Sequence, residues 1–105
     1  MKEIIYYETA DGKIPYRVWY DSLDKTLKLI IDRRIVKIER DLYGDHKRLS
    51  PDLLEFRFDN GLRLYFMEKG KQLVLILCGG SKSKQSKDIE TAKKYIQDYK
   101  ERCRL

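Results

Sequence analysis

The chain has 105 residues, 23 of them Lys or Arg and 17 Asp or Glu, for a net charge of +6 and a pI near 9.3. That length makes one domain with a modest core of its own, and the apolar run Ile4–Tyr7 is too short for a signal peptide or a membrane span, so a cytoplasmic protein with no membrane attachment is expected. Cys78 and Cys103 lack a CxxC partner or a nearby histidine, which argues for reduced thiols and against zinc, while the positive charge asks for an anionic partner, either nucleic acid or an acidic protein.

Ile4, Ile5, Tyr6 and Tyr7 favour a strand closed by Asp11-Gly12, short enough to sit near an edge. Pro15 opens a short helix whose Val18, Trp19 and Leu23 supply apolar surface, with Trp19 read as a core anchor. Asp24 is the expected N-cap of a long helix that ends near Gly44 and buries Leu27, Ile30, Ile31, Ile35, Ile38 and Leu42. Its outer faces carry Lys28, Arg33, Arg34, Lys37 and Arg40. They read as a solvated surface or as a stripe that tracks phosphates, with Lys37 the candidate RNA contact. Gly44-Asp45-His46-Lys47-Arg48 reads as a basic loop closed by Pro51, in which Lys47 and Arg48 are further candidate RNA contacts and the single histidine, His46, is idle.

The next two strands allow a sharper inference. Leu54, Phe56 and Phe58 alternate with Glu55, Arg57 and Asp59, and Leu62, Leu64 and Phe66 alternate with Arg63, Tyr65 and Met67. A two-residue Asn60-Gly61 hairpin would mix charge into both faces. A three-residue loop, Asp59-Asn60-Gly61 with Gly61 left-handed, opposes Phe58 to Leu62 instead and sorts the apolar side chains cleanly from Glu55, Arg57, Arg63 and Tyr65. The three-residue loop is therefore expected.

Leu73–Cys78 is continuously apolar and bounded by Gly70 and Gly79, as suits a central strand buried on both faces. Gly79 and Gly80 are expected to stop it and release a loop, Ser81 to Gln85, rich in donors and positive charge. That loop, with Lys82, Lys84 and Gln85, is either an anion-holding turn before a helix N-terminus or a solvated connector. Asp88 then starts a helix whose Ile89, Ala92, Ile96 and Tyr99 form the buried stripe.

The order of elements predicts an α+β fold, a small antiparallel-dominated sheet with two helices from the N-terminal half and a C-terminal helix packed on its apolar face. The other face would present Arg57, Arg63 and Tyr65 beside Lys82 and Lys84, a cationic set with an aromatic and few carboxylates, suited to a phosphodiester and its bases. Metal catalysis would want clustered Asp, Glu or His, and a Ser or Cys nucleophile would want a His base. Neither pattern occurs, so no metal or cofactor is expected. RNA cleavage without a metal stays compatible with this set, because there the substrate's own 2′-OH is the nucleophile and the protein supplies alignment and positive charge.

Glu55-Phe56-Arg57, Leu62-Arg63-Leu64-Tyr65-Phe66 and Leu75–Asp88 (LILCGGSKSKQSKD), together with Pro15–Leu23 and the helix ending in Gly44-Asp45, resemble the addiction-module killer proteins of the RelE/HigB toxin superfamily. The resemblance implies a RelE-like fold and the toxin of a type II toxin–antitoxin pair. Such a toxin is an endoribonuclease that cleaves mRNA on the translating ribosome and is silenced by its cognate antitoxin. It carries over Arg57, Arg63, Lys82 and Lys84 as catalytic residues, with Ser81 standing where these proteins usually have Asp. Arg63 and Lys82 would stabilise the phosphorane, Arg57 would orient the scissile phosphate, and Lys84 would contact a flanking phosphate or protonate the leaving 5′-oxygen. Two other functions are compatible with the sequence: a gyrase-inhibiting toxin of the same fold, and a non-catalytic module that binds RNA or an acidic protein.

Overall fold

Helix boundaries follow from local chemistry. In the computed structural model, which describes residues 1–103, Pro15 occupies the first turn of α1 (Pro15–Asp21), and Asp24 caps α2 (Lys25–Glu39) by accepting a 2.9 Å hydrogen bond from the Leu27 amide. The second helix ends earlier than Gly44. Asp41 turns left-handed (φ 64°), the Leu42 amide donates to Lys37 O at 2.9 Å and the Asp41 amide to Ile38 O at 2.9 Å, which is the Schellman arrangement. Leu42 is consequently outside the helix and exposed, and Ile30 is partly exposed, so the buried stripe reduces to Ile31, Ile35 and Ile38.

The strands are β1 (Glu3–Tyr6), β2 (His46–Ser50), β3 (Leu53–Arg57), β4 (Leu62–Lys69) and β5 (Leu73–Ser81), in the sheet order β1-β5-β4-β3-β2. All pairs are antiparallel except β1 with β5. The fold is thus α+β with a mixed sheet, and β1 lies at its edge as expected. His46-Lys47-Arg48 is strand rather than loop. It closes the far edge of β3, and its charged residues carry no apolar alternation because edge strands are protected by charge.

The hairpin between β3 and β4 has the three-residue loop. Phe58 and Leu62 face each other through Phe58 N to Leu62 O (3.1 Å), and Gly61 takes φ 91°, a conformation that L side chains rarely adopt. Leu54, Phe56, Phe58, Leu64 and Phe66 accordingly share one face with Ile31, Ile35 and Ile38 of α2 and Tyr16 of α1, and Phe56 stacks on Phe66 with centroids 3.8 Å apart.

The C-terminal helix corrects the expectation: it packs not on this apolar face but on the opposite one, where the alternation predicts an open cationic surface. After a 3-10 turn (Lys82–Lys84), α3 (Gln85–Arg102) lies across it, burying Ala92 and Ile96 against Leu53, Tyr65, Met67, Leu75 and Leu77. This helix begins at Gln85, so Asp88 stands in its first turn rather than at its start. β5 does not stop at the glycine pair. Its register with β4 slips between Tyr65↔Cys78 and Phe66↔Ile76, leaving Leu77 as the extra residue of a bulge. Beyond the bulge the alternation is re-phased, so that Gly79 faces α1 and Gly80 faces α3. A Cβ on Gly79 would overlap the Trp19 indole, and one on Gly80 would overlap the Asp88 carboxylate. These glycines are there for close approach, not for chain reversal.

Candidate functional site

The sheet register brings the predicted cations to one end. Arg57 is opposite Arg63, and Arg63 is opposite Gly80, two residues before Lys82. The Lys82 amide donates to Gly61 O at 2.8 Å, tying the lysine turn to the tip of the β3–β4 hairpin. Lys82 and Lys84 are exposed, and neither makes an ion pair among the described residues. Arg57 reaches Asp45 Oδ1 at 3.0 Å and keeps part of its side chain in solvent.

Arg63 differs from the expectation of a surface cation. It is 9% exposed, its Nε lies 3.7 Å from Glu55 Oε2 and its Nη1 donates to Leu62 O at 3.1 Å. Glu55 is fully buried and also accepts a 2.8 Å hydrogen bond from the Gln85 amide. Gln85 therefore pins the start of α3 to the sheet rather than standing free for RNA. Tyr65 is fully buried beneath α3 and offers no stacking surface. Both were expected as RNA contacts: Tyr65 is withdrawn because α3 covers its face of the sheet, and Gln85 because, as the first residue of α3, it turns its amide inward to Glu55.

Lys47 is exposed on β2, at the edge of the sheet away from β5. Arg48 is spent on Glu68 (3.6 Å) and Pro51 O (2.8 Å). Lys37 belongs to α2, on the opposite layer from α3, beside Ile30, Arg33, Arg34 and Phe58. None of these three joins the cluster at Lys82. Arg34, read as an outer-face residue, lies over the Phe58 ring (4.6 Å) and donates to Tyr43 O, Asp45 O and Arg57 O, so it is a structural clamp between α2 and the loop before β2.

Beneath the lysine turn, Glu55, Arg63 and Tyr65 share a face as the alternation predicts, but they are buried there and joined by Asp88. Glu55 Oε1, Arg63 Nε, Tyr65 Oη and Asp88 Oδ2 are the buried side-chain polar atoms with no hydrogen-bond partner among the described residues, and all belong to this one region. Burial, followed by the negative fields of Glu55 and Asp88, raises the Tyr65 phenol well above its ordinary value. Burial likewise pushes the Asp88 carboxyl up, while the Ser81 amide and then Lys84 and Lys87 pull it down. Cys78, next to it on β5, is pushed up to about 12 by burial and by Asp88, which keeps it a thiol. Asp88 adds a second carboxylate to the Glu55 that the alternation already sets on this face, so carboxylates are less scarce near the cations than expected. The burial of Glu55 had no local signal, because it depends on α3 covering the face. Asp88 had none, because its seat on Gly80 is a contact between strand and helix. Among the described residues no group of three or more His, Cys, Asp or Glu could hold a metal ion.

β1 ends at Tyr6, opposite Ile76, whereas β5 runs on to Ser81, so the last residues of β5 have no strand on that side. A cleft of about 360 Å³ opens there between α1 and α3, lined by Lys13, Val18, Trp19, Gly79, Asp88 and Tyr95 among others. No helix of the described residues is long and apolar enough to cross a membrane. No family model matches the chain. It is 38% identical, over 73 residues, to an uncharacterized protein of Haemophilus influenzae, an alignment that covers 68% of this chain and 74% of that protein.

Proposed function

This chain belongs to the same family as the Haemophilus influenzae protein, and for it we propose the toxin of a type II toxin–antitoxin pair of the RelE/HigB kind, an endoribonuclease that cleaves mRNA on the translating ribosome without a metal. The observation that carries this reading is the convergence of Arg57, Arg63 and the Lys82–Lys84 turn at one end of the sheet, with both lysines exposed and in no ion pair among the described residues. The sequence motifs that resemble the killer proteins lie on these same elements.

In this reading the substrate's 2′-oxygen attacks phosphorus as its proton leaves, the bond to the 5′-oxygen breaks, and that oxygen takes up a proton. The product is a 2′,3′-cyclic phosphate. Lys82 and Lys84 supply positive charge to the phosphorane oxygens, and Arg57 orients the phosphate from the neighbouring strand. Arg63, nine-tenths buried, braces the turn from beneath through Glu55 and Gln85 rather than meeting solvent phosphate directly. The cognate antitoxin and the ribosome are the partners that go with this function.

A non-catalytic module that binds RNA or an acidic protein is favoured by a specific observation, the internal use of Arg63 and Arg48. The test is induced expression of wild type beside a Lys82→Ala/Lys84→Ala variant, with primer extension on a reporter mRNA. Growth arrest with new mRNA ends inside the coding frame, lost in the variant, is expected. A fully toxic double variant refutes the assignment, arrest without new ends moves the target to gyrase, and no arrest favours the binding module.

A further inference from the structure

We propose that the outer face of α2, together with the groove it forms with Phe58, is a docking surface for an acidic amphipathic helix of a partner protein. The face belongs to the helical layer opposite α3 and holds none of the residues assigned to RNA cleavage, so the inference does not rest on that reading.

α2 buries Ile31, Ile35 and Ile38 against the sheet. At 3.6 residues per turn, Leu29 and Val36 fall within about 20° of each other on the side away from that stripe. Each is 49% exposed, and Ile30, on the flank toward Phe58, is 37% exposed. A helix face that met only water would be polar there. Val36 is also β-branched, so helix propensity does not account for it. Alongside, Ile30, Arg33, Arg34, Lys37 and Phe58 line a depression of about 270 Å³, apolar at Ile30 and Phe58 and rimmed by cations. An apolar centre inside a charged rim is the anatomy of a protein interface.

The charges select the partner. Arg33, Lys37 and Arg40 are exposed, and none of them makes an ion pair among the described residues. Asp32, on the same helix, is already held by the Tyr20 hydroxyl at 2.8 and 2.9 Å. RNA would satisfy the cations but set Leu29 and Val36 against phosphates. A second copy of the chain, itself of net charge +6, would bring the same cations together. Carboxylates flanking apolar side chains satisfy both features. The partner's shape follows from the spacing. Leu29 to Val36 is two turns, about 10.5 Å along the axis. Leu29, Arg33, Val36 and Arg40 repeat apolar then basic, a pattern that a second helix packed alongside matches with apolar and acidic positions of its own. Asp45 and Asp59 line the neighbouring depression, so the partner's carboxylates belong on the side of Arg33, Lys37 and Arg40.

The experiment displays amphipathic helices of about three heptads, apolar at a and d and randomised at e and g, and selects those that bind the full-length protein. Asp and Glu are expected to dominate e and g in the selected peptides. Leu29→Ser/Val36→Ser should weaken those peptides about tenfold or more in fluorescence anisotropy. Arg33→Glu/Lys37→Glu should turn the preference toward peptides with Lys at e and g. All four residues are exposed, and circular dichroism checks that both variants are folded. Lys82→Ala/Lys84→Ala should bind as wild type does. No selected binder, binders without an acidic bias, or binding undiminished by Leu29→Ser/Val36→Ser overturns the proposal. Binding lost in Lys82→Ala/Lys84→Ala also overturns it, because the helix would then sit at the lysine turn. So does a labelled single-stranded RNA, or a concentration-dependent dimer, that Leu29→Ser/Val36→Ser weakens as much as it weakens the peptides.

Discussion

Arg63→Ala separates a catalytic from a structural account of the cationic cluster. Arg63 is 9% exposed and faces Glu55, 0% exposed, across 3.7 Å. Deleting the guanidinium leaves the Glu55 carboxylate buried with only the Gln85 amide (2.8 Å) to solvate it. Removing one partner of a buried ion pair costs about 3–5 kcal/mol. The long separation and the residual exposure of Arg63 put this pair at the low end, about 3 kcal/mol, which for a domain of this size lowers the melting temperature by roughly 12–24 °C. Removing both charges, as Glu55→Gln/Arg63→Gln, leaves no stranded ion and should recover more than half of that loss. Thermal unfolding followed by far-UV circular dichroism reads all three proteins. A melting temperature for Arg63→Ala within about 3 °C of wild type would refute the reasoning, because a buried carboxylate would then have lost its counter-ion at no cost. The consequence for function is direct. Loss of toxicity in Arg63→Ala reports on folding as much as on chemistry, whereas the exposed Lys82 and Lys84 can be changed cleanly.

Other outcomes follow from single contacts. Gly79→Ala places a methyl group in the Trp19 indole and should destabilise by about 1–3 kcal/mol through overpacking, seen as a lower urea midpoint; an unchanged midpoint would mean that α1 does not pack on β5 as described. Asp41→Gly relieves a left-handed residue at the end of α2 and should stabilise by about 0.5–1 kcal/mol in the same assay, since Asp41 is largely in solvent and Lys2, 3.6 Å away, keeps Glu68 and Lys71 O as partners; a net loss would show that pairing to be the larger effect. Asp88 has a folded-state pKa above its ordinary value of 3.8, so ionising it weakens the fold at neutral pH and that penalty is absent once both states are protonated. Asp88→Asn should therefore melt higher than wild type at pH near 7, with the gain fading as the pH falls toward 3.8; a variant less stable than wild type at neutral pH contradicts this.

Whatever depends on neighbours in the chain was legible in the sequence. The Asp24 cap, the Pro15 helix start, the edge position of β1 and the register of the β3–β4 hairpin all follow from turn chemistry and alternation within a few residues. So did the gathering of Arg57, Arg63 and the lysine turn, because one hairpin and one connection fix it. Only the tertiary structure decided the rest. β5 is apolar on both faces, so nothing in its sequence could place the bulge at Leu77 that turns Gly79 to Trp19 and Gly80 to Asp88. β2 is too charged to announce itself as a strand, and it forms because β3 has an edge to fill. The packing of α3 over the second face converts Glu55, Arg63 and Tyr65, on strands distant from it in sequence, from a presumed open surface into a buried network that Gln85 closes. The identity of the residues determined which side chains share a face. Whether that face meets water or a helix depends on long-range packing, since the same alternation serves both.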